Sequence, residues 1–240
     1  MLRRAIIICL GTICVVAALG ALLLAHEDVA RDRALERVRA AVATGDEPMT
    51  AIDWQKVERE LEGAAAWLEV GGTSISLPVM QATGDQGDDF YLTHDMLGQE
   101  DPEGAAYLDR RTRPGARAAL IFGHHVIGSD TRMFSPIQHM HRPERFSALG
   151  KAHLTTSEGV CEYEPLCALE VDMAYPLQDM AYRANAGGIE DLAARLLEDA
   201  SARADDARQA RQSAKSILVL ITCSSDEGGE RGRTLVVFSR

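Results

Sequence analysis

Positive charge is scarce in this sequence: 25 Lys and Arg stand against 36 Asp and Glu, a formal net charge of -11. No run of Lys or Arg is interleaved with aromatics, so the electrostatic grip that a phosphate backbone requires has no footprint, and nucleic acid is excluded as a partner. Glycine and proline, 20 and 8 of 240 residues, form no periodic pattern, and there is no internal repeat or low-complexity tract. A collagenous or largely disordered chain is thereby excluded. What is present, 46% hydrophobic and 25% charged residues, fits one ordinary globular domain.

One long apolar run stands apart. From Ala5 to Ala25 twenty-one residues pass without a charge, and at 1.5 Å per residue a helix of that length reaches about 31 Å, the thickness of a bilayer core. Arg3 and Arg4 precede it and Glu27 and Asp28 follow, which by the positive-inside bias predicts a cytoplasmic N-terminus over 1–4, a single-pass membrane anchor over 5–25 and an extracellular remainder. A cleaved signal peptide is the alternative, although its apolar region usually spans only about 7–15 residues.

Cysteine is also sparing, with five in the chain. Cys9 and Cys14 fall within the apolar run, where packing accounts for them. Cys161 and Cys167 share the stretch VCEYEPLCALEV, and as one extended strand it would hold them about 20 Å apart, too far for a disulfide unless Pro165 bends it. Cys223 is left without an evident partner, either as a buried filler or as a reactive thiol.

Residues 27–43 are charged and helix-favouring with a thin apolar stripe, and 26–52 as a whole reads as a stalk or linker. Asp53 can cap a helix over WQKVERELEGAAAWL, and the compact domain is placed at 53–240. Short apolar runs punctuated by turn residues follow: SISLPVMQ, DFYLTHD, AAYLDRR, ARAALIFGHH, AHLTT, VCEYEPLCALEV, SILVLITC and TLVVFSR. These predict a mainly β, mostly antiparallel barrel or sandwich. One long helix is expected before the cysteine-bearing strand, from Ile189 to Lys215, with Ile189, Leu192, Leu196 and Leu197 on its apolar face.

In SILVLITC both faces of the strand are apolar, so it is buried on both sides. The polar loop SSDEGGE comes next, which puts Cys223 at the mouth of the core, where rigid elements display functional groups. An unperturbed thiol is only about 3% thiolate at neutral pH, so a catalytic cysteine needs a base or a positive field. His124 and His125 close the strand ALIFG, and since neighbours on a strand face opposite ways only one of them can meet Cys223. Gly123 before them permits a close approach of backbone or substrate. Arg233 opens RTLVVFSR ten residues after the thiol; pairing of the two strands would bring its guanidinium to the same mouth, where a cation stabilises an oxyanion. A solvated loop charge is the other reading of Arg231 and Arg233. His139 and His141 form an H-x-H pair without a third ligand by spacing, and no metal or cofactor is predicted.

Taken in order, a helix leading to AAAWLEV, then SISLPVMQ, DDFYLTHD, GAAYLDRR, IFGHH with Met133 and Phe134, HLTT, a long helix, ITC and an Arg opening the last strand, the region 53–240 resembles a class B sortase. That resemblance implies a sortase-like eight-stranded β-barrel with an N-terminal helical extension, and a cysteine transpeptidase of Gram-positive cell surfaces. It implies Cys223 as nucleophile, His124 as general acid/base with His125 the second choice, and Arg233 as oxyanion or substrate stabiliser. The implied partners are surface proteins bearing a sorting signal and an amine acceptor such as a peptidoglycan precursor or a pilin subunit. Thr222 and Asp226 are candidate substrate-binding residues, a structural role being the alternative for each. The family commonly reads TLSTC where this chain reads VLITC, so Ile221 replaces a small polar residue while Thr222 is kept. A thiol peptidase that only hydrolyses, or an inert surface assembly module, are the competing readings.

Overall fold

In the computed structural model, which describes residues 2–43, 52–224 and 231–240 (the side chains of 2–11 and 21–28 excepted), the chain forms two units, Met1–Ala43 and Thr44–Arg240. The first unit is one helix, α1 (Leu2–Val42), 41 residues long. With no proline before Pro48, nothing interrupts its hydrogen-bond ladder. This corrects the expected anchor: among the described residues no helix is long and apolar enough to cross a membrane. The later described part of the same helix is rich in charge, with Arg31, Asp32, Arg33, Glu36, Arg37 and Arg39. The single-pass location, and the membrane as a partner through residues 5–25, fall with it.

In the second unit the helix cap expected at Asp53 is present. The Asp53 carboxylate accepts from the backbone N–H groups of Gln55 at 3.1 Å and Lys56 at 3.3 Å and caps α2 (Trp54–Glu60). The helix then stops, whereas the alanines of AAAWL had suggested that it continue. Leu61 is extended, Gly63 turns at φ +83°, and AAAWLEV becomes β1 (Ala64–Val70), buried along both faces. Burial between neighbours outweighs the helical propensity of three alanines.

Seven more strands complete a ring: β2 (Ser76–Met80), β3 (Ala106–Leu108), β4 (Ala118–Phe122), β5 (Ala152–Thr156), β6 (Gly159–Asp172), β8 (Ile217–Cys223) and β9 (Gly232–Ser239). The order is β5-β1-β2-β3-β4-β8-β9-β6, and β6 pairs back onto β5, so eight strands close without a free edge. The barrel is mixed, with β2–β3 and β4–β8 parallel and the other pairings of the ring antiparallel. A two-residue strand, β7 (Ala202–Arg203), pairs with β6 outside the ring. The run DFYL is not a strand but a short 3-10 turn at Phe90–Leu92.

Four helices decorate the barrel: α3 (Pro143–Phe146), α4 (Leu177–Ala186), α5 (Ile189–Asp199) and α6 (Ala207–Ser213). The single helix expected from Ile189 to Lys215 is therefore two helices with β7 between them. The N–H of Ser201 donates to the Ala168 carbonyl at 3.1 Å, so sheet pairing with β6 replaces the helical ladder there. Ile189, Leu192 and Leu196 of α5 are buried as their spacing implied, with Leu197 only partly so. They pack with α4 and α6 against Ile217, Val219 and Ile221 of β8 and Leu235 and Val237 of β9. The odd-numbered residues of β8 thus face the helices, and the even-numbered ones face the barrel interior.

Candidate active site

Strand topology collects the three residues singled out above. β4 and β8 are parallel, with Phe122 beside Ile221, so both strands run out at the same end of the barrel. The N–H of Gly123 donates to the Ile221 carbonyl at 3.0 Å, which carries the first pairing one residue further and delivers His124 next to Cys223. β9 is antiparallel to β8 and starts at this same end, with Arg233 directly across from Cys223. Cys223 has the parity of Ile221, and Arg233 that of Leu235, so both side chains lie on the helix-facing side of the sheet. The N–H of Ser224 donates to the Gly232 carbonyl at 3.2 Å and keeps the two strand ends together.

His124, Cys223 and Arg233 all line one cleft of about 410 Å³. His124 Nε2 lies 2.9 Å from the carbonyl oxygen of Leu92. A carbonyl only accepts, so Nε2 carries the hydrogen and Nδ1 is the basic nitrogen of the neutral ring. His125 does not line the cleft; its backbone bridges to Met133 on the other side. The close approach permitted by Gly123 is filled by protein: a Cβ there would sit 2.6 Å from the Phe134 ring.

Arg233 Nη1 donates to the Gly232 carbonyl at 2.8 Å. Arg231, exposed, grips Asp172 through two bonds, Nε to Oδ2 at 2.9 Å and Nη2 to Oδ1 at 2.7 Å. That pairing, helped by the N–H of Ala174, holds the Asp172 carboxyl at about 2. The solvated-charge reading therefore describes Arg231, while Arg233 belongs to the cleft. Thr222 is 2% exposed, sits opposite Thr234 and contributes to the cleft lining; its hydroxyl has no hydrogen-bond partner among the described residues. Asp226 lies outside the described residues.

The cleft also holds residues that sequence reasoning missed. Tyr107 of β3 stacks on Phe122 with ring centroids 5.3 Å apart. Burial, with the carboxylates of Asp89 and Asp109 nearby, pushes its phenol up to about 12, so it stays a donor at neutral pH. Tyr175 donates to Asp199 Oδ2 at 2.7 Å, and Gln178 enters from α4. Tyr107 was read only as part of a strand, and residues 173–188 carried no assignment, so no local signal pointed to these three. The arrangement puts a thiol, an imidazole and a guanidinium at one end of an otherwise largely apolar cleft. Those are the parts that acyl transfer through a thioester uses.

No protein-family model matches the chain, and no curated protein matches it. Solved structures do. Sortase B of Clostridium perfringens matches with a TM-score of 0.61 at 24% identity, over 74% of this chain and 93% of that one. Sortase B of Staphylococcus aureus matches with a TM-score of 0.67 at 16% identity, over 89% of this chain and 97% of that one. A Streptococcus pyogenes class B sortase involved in pilus biogenesis matches with a TM-score of 0.60 at 18% identity, over 73% and 91% respectively. The chain, a closed eight-stranded mixed barrel with several helices, has a class B sortase-like fold.

Proposed function

We propose that the protein is a cysteine transpeptidase of the sortase type, acting on a sorting-signal peptide and an amine acceptor. The observation that carries this reading is the convergence of Cys223, His124 and Arg233 on one cleft of a class B sortase-like barrel. The Cys223 sulfur attacks the carbonyl carbon of a Thr–X peptide bond, having passed its proton to His124. The carbonyl oxygen takes up negative charge, which the Arg233 guanidinium stabilises. The C–N bond then breaks, His124 returns the proton to the departing amine, and the acyl group stays on Cys223 as a thioester. An acceptor amine attacks the thioester and yields its proton to His124; a new amide forms and the sulfur is released, its proton restored by His124. A peptidoglycan precursor or a pilin lysine is the kind of acceptor that fits this chemistry. Thr222 and Asp226 border the nucleophile in the chain and are the positions at which substrate contact is sought first.

Intact-mass spectrometry of the full chain, incubated with a panel of sorting-signal peptides with and without a diamine or a short glycine peptide, tests the reading beside Cys223→Ala. The expected result is a mass adduct on Cys223 that converts to ligated product when acceptor is present. Cleavage alone at every acceptor concentration would replace the transpeptidase by a thiol peptidase. Failure of every peptide to acylate a thiol that a small electrophile still labels would overturn the substrate.

A further inference from the structure

His124, Cys223 and Arg233 sit on three separate stretches of chain, and one buried segment between β4 and α3 is hydrogen-bonded to the backbone or side chain immediately beside each of them. The N–H of Phe134 donates to the carbonyl of His124 itself at 3.0 Å. Gln138, 4% exposed, donates from its side-chain Nε2 to the carbonyl of Ser224, the residue after Cys223, at 3.4 Å. The main-chain carbonyl of Gln138 accepts the hydroxyl of Thr234, the fully buried residue after Arg233, at 2.5 Å. His141 Nδ1 lies 3.1 Å from the same hydroxyl oxygen. A threonine hydroxyl has one proton, and here it goes to Gln138, so His141 Nδ1 carries a hydrogen and donates. The far edge of that ring, Nε2, is 3.8 Å from Glu170 Oε2, and Glu170 pairs with Thr234 across β6 and β9.

Two further features single out this segment. It is entered through Met133 at φ +48°, a non-glycine residue in the left-handed region, a conformation that persists only where the surroundings over-determine it. It is also seated on Gly123 through the Phe134 ring, in a space that any larger residue at 123 would occupy. Stability alone does not call for this chemistry. A valine at 234 would fill the same volume and require no buried hydrogen-bond partners, whereas a buried polar network fixes one geometry when all its members are satisfied.

We propose that the segment Phe134–His141 is a clamp that sets the relative positions of the three catalytic candidates, with Gln138, His141 and Thr234 as positioning residues. The proposal rests on the transpeptidase reading for its consequence in turnover, but not for its geometry. Thr234→Val removes the hydroxyl without changing the volume, and Thr234→Ser restores it. His141→Leu removes the Nδ1 donor, and His141→Asn puts an amide N–H in its place. In the full chain, the rate of iodoacetamide addition, followed on the Cys223-bearing peptide by mass spectrometry, reads the site without any substrate; peptide turnover reads it with one. Thr234→Val and His141→Leu are expected to lower both rates about tenfold, and Thr234→Ser and His141→Asn to recover them to within about twofold. Melting curves on the same samples show whether each variant is folded at the assay temperature. Folded Thr234→Val and His141→Leu proteins with native alkylation and turnover would overturn the clamp, as would losses that Ser and Asn fail to restore. If the native chain turns over no peptide while alkylation still falls and recovers as described, the clamp stands and the transpeptidase reading fails. If peptide turns over in every variant alike, the reverse holds.

Discussion

Two cysteines, Cys167 and Cys223, lie against the same strand, β9, on the same helix-facing side of the sheet. Cys167 on β6 pairs with Val237, and Cys223 on β8 pairs with Arg233. Four positions along β9 separate an inert thiol from a candidate nucleophile. Cys167 is fully buried under the helices, and burial pushes its thiol up to about 12. Cys223, at the last position of its strand, is partly exposed to a cleft that also holds an imidazole and a guanidinium. The residue type is the same and the sheet face is the same, so depth along the strand decides which thiol can do chemistry. A strand that is apolar on both faces supplies the rigidity, and its end supplies the access.

The largest effect follows from exchanging the two roles. Cys223→Ala is expected to abolish acyl transfer completely while leaving the melting temperature within a few degrees, because the side chain contributes little to the core. Cys167→Ala is expected to keep full activity and to lose about 1 kcal/mol or somewhat more of stability from the space it leaves. Paired denaturation and peptide-turnover measurements check both. Loss of activity in Cys167→Ala at a temperature where it is folded would end the distinction.

Next in size are the two residues that share the cleft with Cys223. Replacing His124 by Ala should lower kcat by about 10²–10⁴-fold, the usual worth of a general acid/base. Arg233→Lys keeps the charge but not the guanidinium fork. A fall of about 10²-fold or more is expected if the group holds an oxyanion, and KM should change much less. Equal loss in kcat and gain in KM would instead assign Arg233 to ground-state binding.

A smaller effect separates packing from chemistry at the cleft end. Gly123→Ala places a Cβ 2.6 Å from the Phe134 ring, and relief of that overlap has to move the segment that carries Gln138 and His141. A loss of about 1–3 kcal/mol in stability is expected, together with a fall in Cys223 alkylation. Stability lost without any change at the thiol would show that the ring can shift independently of the rest of the segment.

Much of this arrangement is legible in the sequence, and the reason differs from element to element. The strands β4, β6, β8 and β9 read correctly because each is an apolar run ended by turn residues, and Asp53 reads as a cap because its side-chain oxygens need only the next two or three N–H groups. Cys223 at the end of ILVLITC is visible for the same local reason. The helix expected from Asp53 runs through AAAWL since alanine and leucine favour it, and only the neighbours on both faces make AAAWLEV β1. The break at Ala200–Arg203 depends on a strand far away in sequence, β6, which no helical pattern reveals. Tyr107, Tyr175 and Gln178 reach the cleft through tertiary packing, and their own sequence neighbourhoods carry no sign of it. The anchor expected at 5–25 came from counting uncharged residues, while the helix that forms runs on through the charged stretch to Val42.

The smallest effect tests whether the cleft end depends on charge in a way that the middle of the barrel does not. Asp109 follows β3, just beyond Tyr107, and is 6% exposed. Burial pushes its carboxyl up, but two bonds from the Arg111 guanidinium at 2.8 and 3.0 Å, the Arg111 N–H at 2.9 Å and the Gln178 amide more than offset this, and the carboxyl is held below its ordinary value. A folded value below the unfolded one means that the contribution is fully present above the unfolded value near 4, and is lost as pH falls through the folded value. Because Arg111 is substantially exposed, the pair is worth only about 1 kcal/mol or less. Asp109→Asn should therefore lower the melting temperature slightly at pH 7, with the gap to the native protein closing below about pH 4. Cys167 is packed among apolar side chains and its thiol does not titrate in acid, so Cys167→Ala should show a stability gap that does not change over the same range. Two gaps that closed together on acidification would mean that the cleft end and the middle of the barrel respond as one body, and that depth along β9 separates the two thiols in reactivity but not in what holds them.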